Sequence, residues 1–337
     1  MCADDVLDVF VGLDYHMKSI QVCVVDEAGR VLANRRCPNS VTEVAKSVRR
    51  FGSIRQLAIE SCTGAADFAD SLGHATGWSI VLAHPGYVNR MRHNPDKSDY
   101  SDARMLAELC RSGFLPRVWL APSYIRELRS LVRYRQQCVQ QRRSVKVRIL
   151  AVLRDNRVPE PDFGRWTKMW FAWLDSTDEL DPSRRWIISR HLEQLASATR
   201  ELREVEAKLR EVTAHDQMIV RLLGEPGIGP VTAWTLRAEV GRFDRFRSGK
   251  QLSRFCALSP RNASSGQRMA DSGLIHAGNG QLKATLIQAA HRLCRHDPRW
   301  GELAHRLRAQ GKPTCVAVAA VANRWVRGLF YRFADAA

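Results

Sequence analysis

Long hydrophobic runs are missing from this chain of 337 residues. The longest apolar stretches, such as Ile80–Ala83 and Val316–Ala322, fall far short of the ~18 residues that cross a bilayer as a helix. The opening residues, Met1-Cys2-Ala3-Asp4-Asp5, are acidic where a secretory leader is basic, and no long apolar segment follows them. No membrane partner is expected, and a cytoplasmic protein is. Paired cysteines are missing too, because the nine cysteines are scattered with no Cys-x-x-Cys among them. Neither a zinc ribbon nor a disulfide framework fits that spacing, so reduced thiols packed as small core residues are expected. Acidic residues are the other shortage: 35 Asp+Glu face 52 Lys+Arg, for a formal net charge of +17. That excess implies a polyanionic partner, most simply nucleic acid, because each Lys or Arg set against a phosphate releases condensed counterions.

What is present suits a folded protein of about two domains. Hydrophobic residues make up 45% and charged residues 26%, ample for packed cores. Residues 6–14 read as a buried strand, followed by strands at Ile20–Asp26 and Val31–Arg36 around the Gly-containing turn 27–30. Two runs so joined make a hairpin, and the three strands form an antiparallel meander. The pattern then alternates: helix Val41–Arg50, strand Leu57–Glu60, helix Ala65–His74 and strand Ser79–Ala83. Alternation of this kind adds parallel strands to the same sheet. Three antiparallel strands followed by αβαβ is the order of the ribonuclease-H-like α/β fold.

Beyond it, Ile125 to Asn156 reads as one long helix carrying Arg126, Arg129, Arg133, Arg135, Arg142, Arg143, Lys146, Arg148 and Arg154. Charge of one sign on so long a helix points to a phosphate backbone lying along it. After Pro159, Pro161 and Gly164, a short helix with Trp166, Trp170 and Trp173 at i, i+4 and i+7 is expected to use that stripe for packing rather than base stacking. Ser183 to Val212 carries a heptad, with Ile188, Leu195, Leu202 and Leu209 at one seam position and His191, Ala198, Val205 and Val212 at the other. It predicts a coiled coil within or between chains, or an antiparallel pairing of the two long helices. The last third, from about Gln217, is helical and punctuated by glycine.

Three groups of residues invite chemistry. Asp14 ends the first strand and Glu60 the fourth, so on adjacent central strands their acids meet at one edge of the sheet. Asp99 and Asp102, at a helix start, are i and i+3 and face the same way. Four gathered carboxylates are costly unless cations neutralise them, and hard oxygen ligands select Mg²⁺ or Mn²⁺, whose pairs clamp the oxygens of a phosphoryl transfer. The segment Ala257–Gly266 reads as a loop, in which Ser264 and Ser265 lie close to Arg261 and Arg268. These are turn residues by composition, or a serine nucleophile beside arginines that hold a scissile phosphate. Pro226-Gly227-Ile228-Gly229-Pro230 before a helix has the form of a helix-hairpin-helix turn, in which Gly227 and Gly229 let backbone N–H groups approach a phosphate. His291 and His296 share a helix but have no third ligand at metal spacing.

Five of these blocks together resemble the DEDD transposases of the bridge-RNA-guided insertion-sequence family, whose relatives include pilin-gene invertases. They are Val11-Gly12-Leu13-Asp14, Ile59-Glu60-Ser61-Cys62-Thr63-Gly64, Lys97–Ala107 with Asp99 and Asp102, Pro226-Gly227-Ile228-Gly229, and Leu258-Ser259-Pro260 followed by Ser265-Gly266. The resemblance covers nearly the whole chain. It implies a RuvC-like N-terminal domain (1–122), a basic-helix and coiled-coil middle (123–215) and a mostly α C-terminal transposase domain (216–337). It further implies that Asp14, Glu60, Asp99 and Asp102 hold the metal and that Ser265 is the nucleophile, with Ser264 its close competitor. Members cleave and rejoin DNA through a phosphoserine link, while a guide RNA pairs with target and donor DNA. They work as homodimers that assemble into homotetramers, with composite sites between subunits, which implies a nucleoid-associated bacterial protein.

Two segments depart from the family. Lys18 in Tyr15-His16-Met17-Lys18 stands farther from the aspartate than in many relatives and is assigned no role, and the Trp-rich stretch 165–186 matches nothing in the family. Nucleic-acid contacts are expected at Gly227, Gly229, Arg261, Arg268, Arg142, Arg143 and Lys146. No Gly-x-x-x-x-Gly-Lys-Ser/Thr occurs, as fits a reaction that stores bond energy in a serine ester. The rivals are a metal-dependent nuclease or Holliday-junction resolvase using water, a site-specific invertase, and a non-enzymatic nucleic-acid-binding descendant.

Overall fold

Residues 7–91, 98–262 and 271–334 are described by a computed structural model of the chain. The fold divides into two units, Met1–Ser123 and Tyr124–Ala337.

The first unit is built on a six-stranded sheet of order β3-β2-β1-β4-β5-β6. β1 (Asp8–Tyr15), β2 (Ser19–Asp26) and β3 (Val31–Pro38) form the antiparallel meander. After helix α1 (Val41–Arg49), strand β4 (Ser53–Glu60) joins β1 in parallel. Helix α2 (Ala65–Thr76) leads to β5 (Ile80–Ala83), parallel to β4, and the short β6 (Arg117–Val118) closes that edge antiparallel. Helices α3 (Pro85–Arg90) and α4 (Asp99–Arg111) lie between β5 and β6 in sequence.

Side chains alternate across a strand, and both faces of this sheet are covered. Val22 and Val24 of β2 join the core under α1 and α2 with Val44, Val48, Phe68 and Leu72. Cys23 and Val25 pack with Ala103 and Ala107 of α4 on the other face. Burial on both faces accounts for the near-continuous apolar run of β2. The arrangement is compatible with a ribonuclease-H-like α/β domain.

The second unit is mostly helical. α5 (Ser123–Asp155), α6 (Lys168–Ser176) and α7 (Pro182–Val212) come first. α8 (Gln217–Leu223), α9 (Pro230–Glu239) and α10 (Gly249–Phe255) follow, then a two-stranded ribbon of β7 (Pro260–Asn262) and β8 (Asp271–Leu274), and α11 (Gly280–His296), α12 (Pro298–Ala309) and α13 (Thr314–Phe333). β7 therefore begins inside the stretch read from the sequence as loop.

The two long helices run antiparallel within one chain. Leu128, Val132 and Cys138 of α5 share a core with Leu202, Val205 and Leu209 of α7, while Val145, Ile149 and Leu153 share another with Ile188 and Leu195. Arg135 Nη2 meets Glu206 Oε1 at 2.7 Å across the pair. Of the heptad seam, Val212 remains exposed. Trp166 stands before α6 rather than on it, so the expected helical stripe of three tryptophans is broken: Trp170 is fully buried and Trp166 partly so.

Candidate metal centre at the edge of the N-terminal sheet

The parallel register of β1 and β4 pairs Leu13 with Ile59, so the next residues, Asp14 and Glu60, stand side by side at the carboxyl ends of the two strands. Two more acids arrive on α4. Ser98 caps that helix by accepting from the Ser101 amide at 3.1 Å, and the Ser98 amide donates to Ser101 Oγ at 3.2 Å. This reciprocal cap fixes the first turn, where Asp99 and Asp102 also face the positive end of the helix dipole. α4 lies close on the sheet because residue 12 is glycine. A Cβ there would stand 2.1 Å from Ala103 O and 2.5 Å from Ala107 N.

The carboxylate, imidazole and carboxylate of Asp14, His16 and Asp99 offer ligand atoms all within 4.8 Å of one another. In its Nε2–H form, His16 donates to Asp14 Oδ2 at 3.1 Å, and the same nitrogen lies 3.4 Å from Asp99 Oδ1. The Asp14 carboxyl is held above its ordinary value, first by burial; His16 opposes that shift, while the charges of Asp102 and Asp99 add to it. Asp102 itself is only 4% exposed. Glu60 belongs to the same edge: burial, then the charges of Glu60 and Asp14, push up the neighbouring Cys62 thiol. The structure thus draws Asp14 and Asp99 into one tight group with His16, with Asp102 close enough to act on Asp14 electrostatically and Glu60 acting on the adjacent Cys62.

His16 was not singled out in the sequence. Its signal was nonetheless there: residues i and i+2 at a strand end project to the same side. Two carboxylate oxygens and one imidazole nitrogen fit a divalent cation, the oxygens suiting Mg²⁺ or Mn²⁺ and the nitrogen favouring a transition ion such as Mn²⁺.

In the second unit, Gly227 has φ +80°, and a Cβ on it would lie 2.6 Å from Leu293 of α11. Backbone conformation and packing against α11 both favour glycine here. Gly229 caps α9 without a side-chain bond, and a Cβ there would meet only Arg292 Nη2 at 3.9 Å. Pro226, Gly227, Ile228, Gly229, Arg292 and His296 line a cavity of about 330 Å³. Asp216 caps α8 and pairs with Arg237 of α9 at 2.7 Å.

The basic helix is only partly free. Arg133 and Arg129 reach Glu239 at 3.0 and 3.6 Å, Arg135 is paired with Glu206, and Arg154 lies 3.8 Å from Asp155. Among the described residues, Arg142, Arg143 and Arg148 have no such partner. Arg261, in β7, is exposed. Ser264, Ser265 and Arg268 lie outside the described residues.

The sheet order, with acids gathered at one edge, is that of an α/β domain compatible with the ribonuclease-H-like fold. Sequence comparison gives the family. Residues 11–156 match a model described as a transposase, of the DEDD type of the IS110 group, and residues 220–305 match one described as the transposase IS116/IS110/IS902 family. The chain belongs to this family of insertion-sequence transposases. Among relatives, the transposase for insertion sequence element IS1111A of Coxiella burnetii is 24% identical over 291 residues, 85% of this chain and 78% of that protein. A probable family 20 transposase of Pseudomonas aeruginosa is 28% identical over 334 residues, 96% and 89% of the two chains. The transposase for element IS1328 of Yersinia enterocolitica is 26% identical over 237 residues, 69% of each chain.

Proposed function

We propose that this chain is the recombinase of a bacterial insertion sequence, cleaving target and donor DNA and rejoining the strands under the direction of a guide RNA. The observation that carries the reading is the convergence of Asp14, His16 and Asp99 within 4.8 Å at the sheet edge, in a chain with net charge +17. Asp14, Glu60, Asp99 and Asp102, with His16, would hold Mg²⁺ or Mn²⁺. A bound divalent cation supplies charge neutralisation and orientation at a scissile phosphate.

The chain's own residues do the rest. Ser265 Oγ forms a bond to phosphorus, the P–O3′ bond breaks, and the departing 3′ oxygen takes up a proton. A 3′-hydroxyl of the partner strand then attacks the same phosphorus, forming a new P–O3′ bond and returning Ser265 to its hydroxyl form. Because the serine ester conserves the bond energy, no nucleotide hydrolysis is needed. Arg261 and Arg268 flank the serine and neutralise the developing charge. Gly227 and Gly229, with Arg142, Arg143 and Lys146, contact the backbones of the nucleic acids.

In this scheme residues 1–122 carry the acids, 123–215 the basic helix and its coiled-coil partner, and 216–337 the serine. Acids and serine meet across subunits of a homodimer that assembles into a homotetramer.

The test is a denaturing gel of protein incubated with Mg²⁺ and DNA carrying the element ends. Wild type gives a covalent protein–DNA adduct, Ser264→Ala keeps it, and Ser265→Ala and Asp14→Ala lose it. An adduct retained in Ser265→Ala would remove that serine from the role. Cleavage without any adduct would hand the reaction to water, as in a nuclease or junction resolvase.

A further inference from the structure

α5, α7, α6 and the segment leading into it line an open recess of about 610 Å³, a size typical of ligand clefts. Its lining joins two kinds of side chain. Arg142, Lys146 and Arg203 supply three cations; Trp166, Phe171 and Leu195 supply an apolar, largely aromatic wall.

The cations lack acidic counterparts. Among the described residues neither Arg142 nor Arg203 has an ion pair or hydrogen bond, whereas Arg135, two turns earlier on α5, is tied to Glu206. Lys146 Nζ rests 4.5 Å from the centre of the Trp166 ring. Burial and the adjacent Arg142 charge hold the Lys146 ammonium below its ordinary value, so the cluster is under like-charge repulsion that an anion would relieve.

The wall is held in place at a conformational cost. Trp166 has φ +66°, in the left-handed region that a bulky residue rarely adopts. Around it, Arg165 pairs with Glu160 at 2.7 Å and Thr167 Oγ1 donates to Gly164 O at 2.9 Å. The Trp166 ring sits 4.6 Å from that of the fully buried Trp170. Trp166 packs against the core around Trp170 yet stays partly exposed beside unpaired cations, in a strained conformation that several contacts maintain.

We propose that this recess receives one unpaired nucleotide of a single-stranded nucleic acid, its base against Trp166 and Phe171 and its phosphate on Arg142, Lys146 and Arg203. Stacking on an aromatic plus a cationic track for phosphate is how single strands are held without sequence readout. A base inside a duplex cannot present its face this way. The inference rests on the nucleic-acid reading above and adds a site to it, in the Trp-rich segment that the family motifs leave unassigned.

The test uses the full chain and fluorescence anisotropy with a short labelled oligothymidylate, the matching oligouridylate and a DNA duplex. Trp166→Ala is expected to weaken single-strand binding about tenfold and leave duplex binding within about twofold of wild type. Trp166→Phe should restore most of the loss. Arg142→Ala and Arg203→Ala, at partly or fully exposed positions, should each lower the salt slope for the single strand by about 0.7. The two labelled strands show whether RNA or DNA is the better source of the nucleotide. A 4-thiouridine strand should cross-link to Trp166 or Phe171. Single-strand affinity unchanged in all of these variants, or equal loss on single strand and duplex, would overturn the site. A wild-type chain that binds no nucleic acid would instead bring down the proposed function itself.

Discussion

A Cβ on Gly12 would stand 2.1 Å from the carbonyl oxygen of Ala103. Strand β1 and helix α4 touch backbone to backbone at that point, and the contact sets the height at which Asp99 and Asp102 meet Asp14. Gly12→Ala has no flexible neighbour to displace, since the obstructing atoms are main chain. It should cost about 3 kcal/mol of stability and abolish recombination, as read by chemical denaturation and by strand-transfer assay. Unchanged stability would mean that α4 can lift off the sheet without penalty.

The Asp14 carboxyl is raised above 3.8 chiefly by burial, so the folded chain binds that proton more readily than the unfolded chain. Its contribution to stability is whole below the unfolded value and is lost as pH rises through the raised folded value. At neutral pH the ionised group is therefore a net cost. Asp14→Asn should raise the Tm of the metal-free protein by roughly 2 °C at pH 7, a gain that shrinks as the pH is brought toward 4, while activity disappears. Scanning calorimetry in the presence of chelator reads this. A lower Tm at pH 7 would contradict the burial argument.

Gly227 and Gly229 should separate in their effects. Gly227→Ala combines a left-handed backbone with Leu293 at 2.6 Å and should cost about 2–3 kcal/mol. Gly229→Ala meets nothing closer than 3.9 Å and should cost under about 1 kcal/mol. If the turn holds a phosphate, Gly229→Ala weakens DNA binding while thermal stability stays near wild type. Gel-shift affinity beside a melting curve distinguishes the two, and equal effects of both substitutions would refute the distinction.

Much of this was legible in the sequence. Strand periodicity and the Gly-containing turn at 27–30 anticipated the meander, and the strand ends fixed Asp14 and Glu60 as neighbours once β1 and β4 paired. Asp99 and Asp102 were legible because a capped helix start constrains where i and i+3 point. Other features depended on contacts distant in sequence. Arg129 and Arg133 looked like phosphate ligands because Glu239 is more than a hundred residues away, and only the fold brings it to them. Gly227 has a packing role as well, against Leu293, that no local pattern announces. Trp166 read as helical by spacing, yet its positive φ excludes it from α6; spacing carries no information on a local backbone inversion. His16 stood two residues from Asp14, but a lone histidine has no meaning until Asp99 arrives on another element.

The acids at the carboxyl ends of β1 and β4, with those at the start of α4, would form a cation site. The most direct measurement is Mn²⁺ titration followed by electron paramagnetic resonance, with pulsed detection of nitrogen coupling. Wild type should bind one Mn²⁺ per chain with a coupled imidazole nitrogen, His16→Ala should lose that coupling but retain weaker binding, and Asp14→Asn and Asp99→Asn should lose binding. Mn²⁺ bound equally well by Asp14→Asn and Asp99→Asn, or bound by none of the four proteins, would contradict that site.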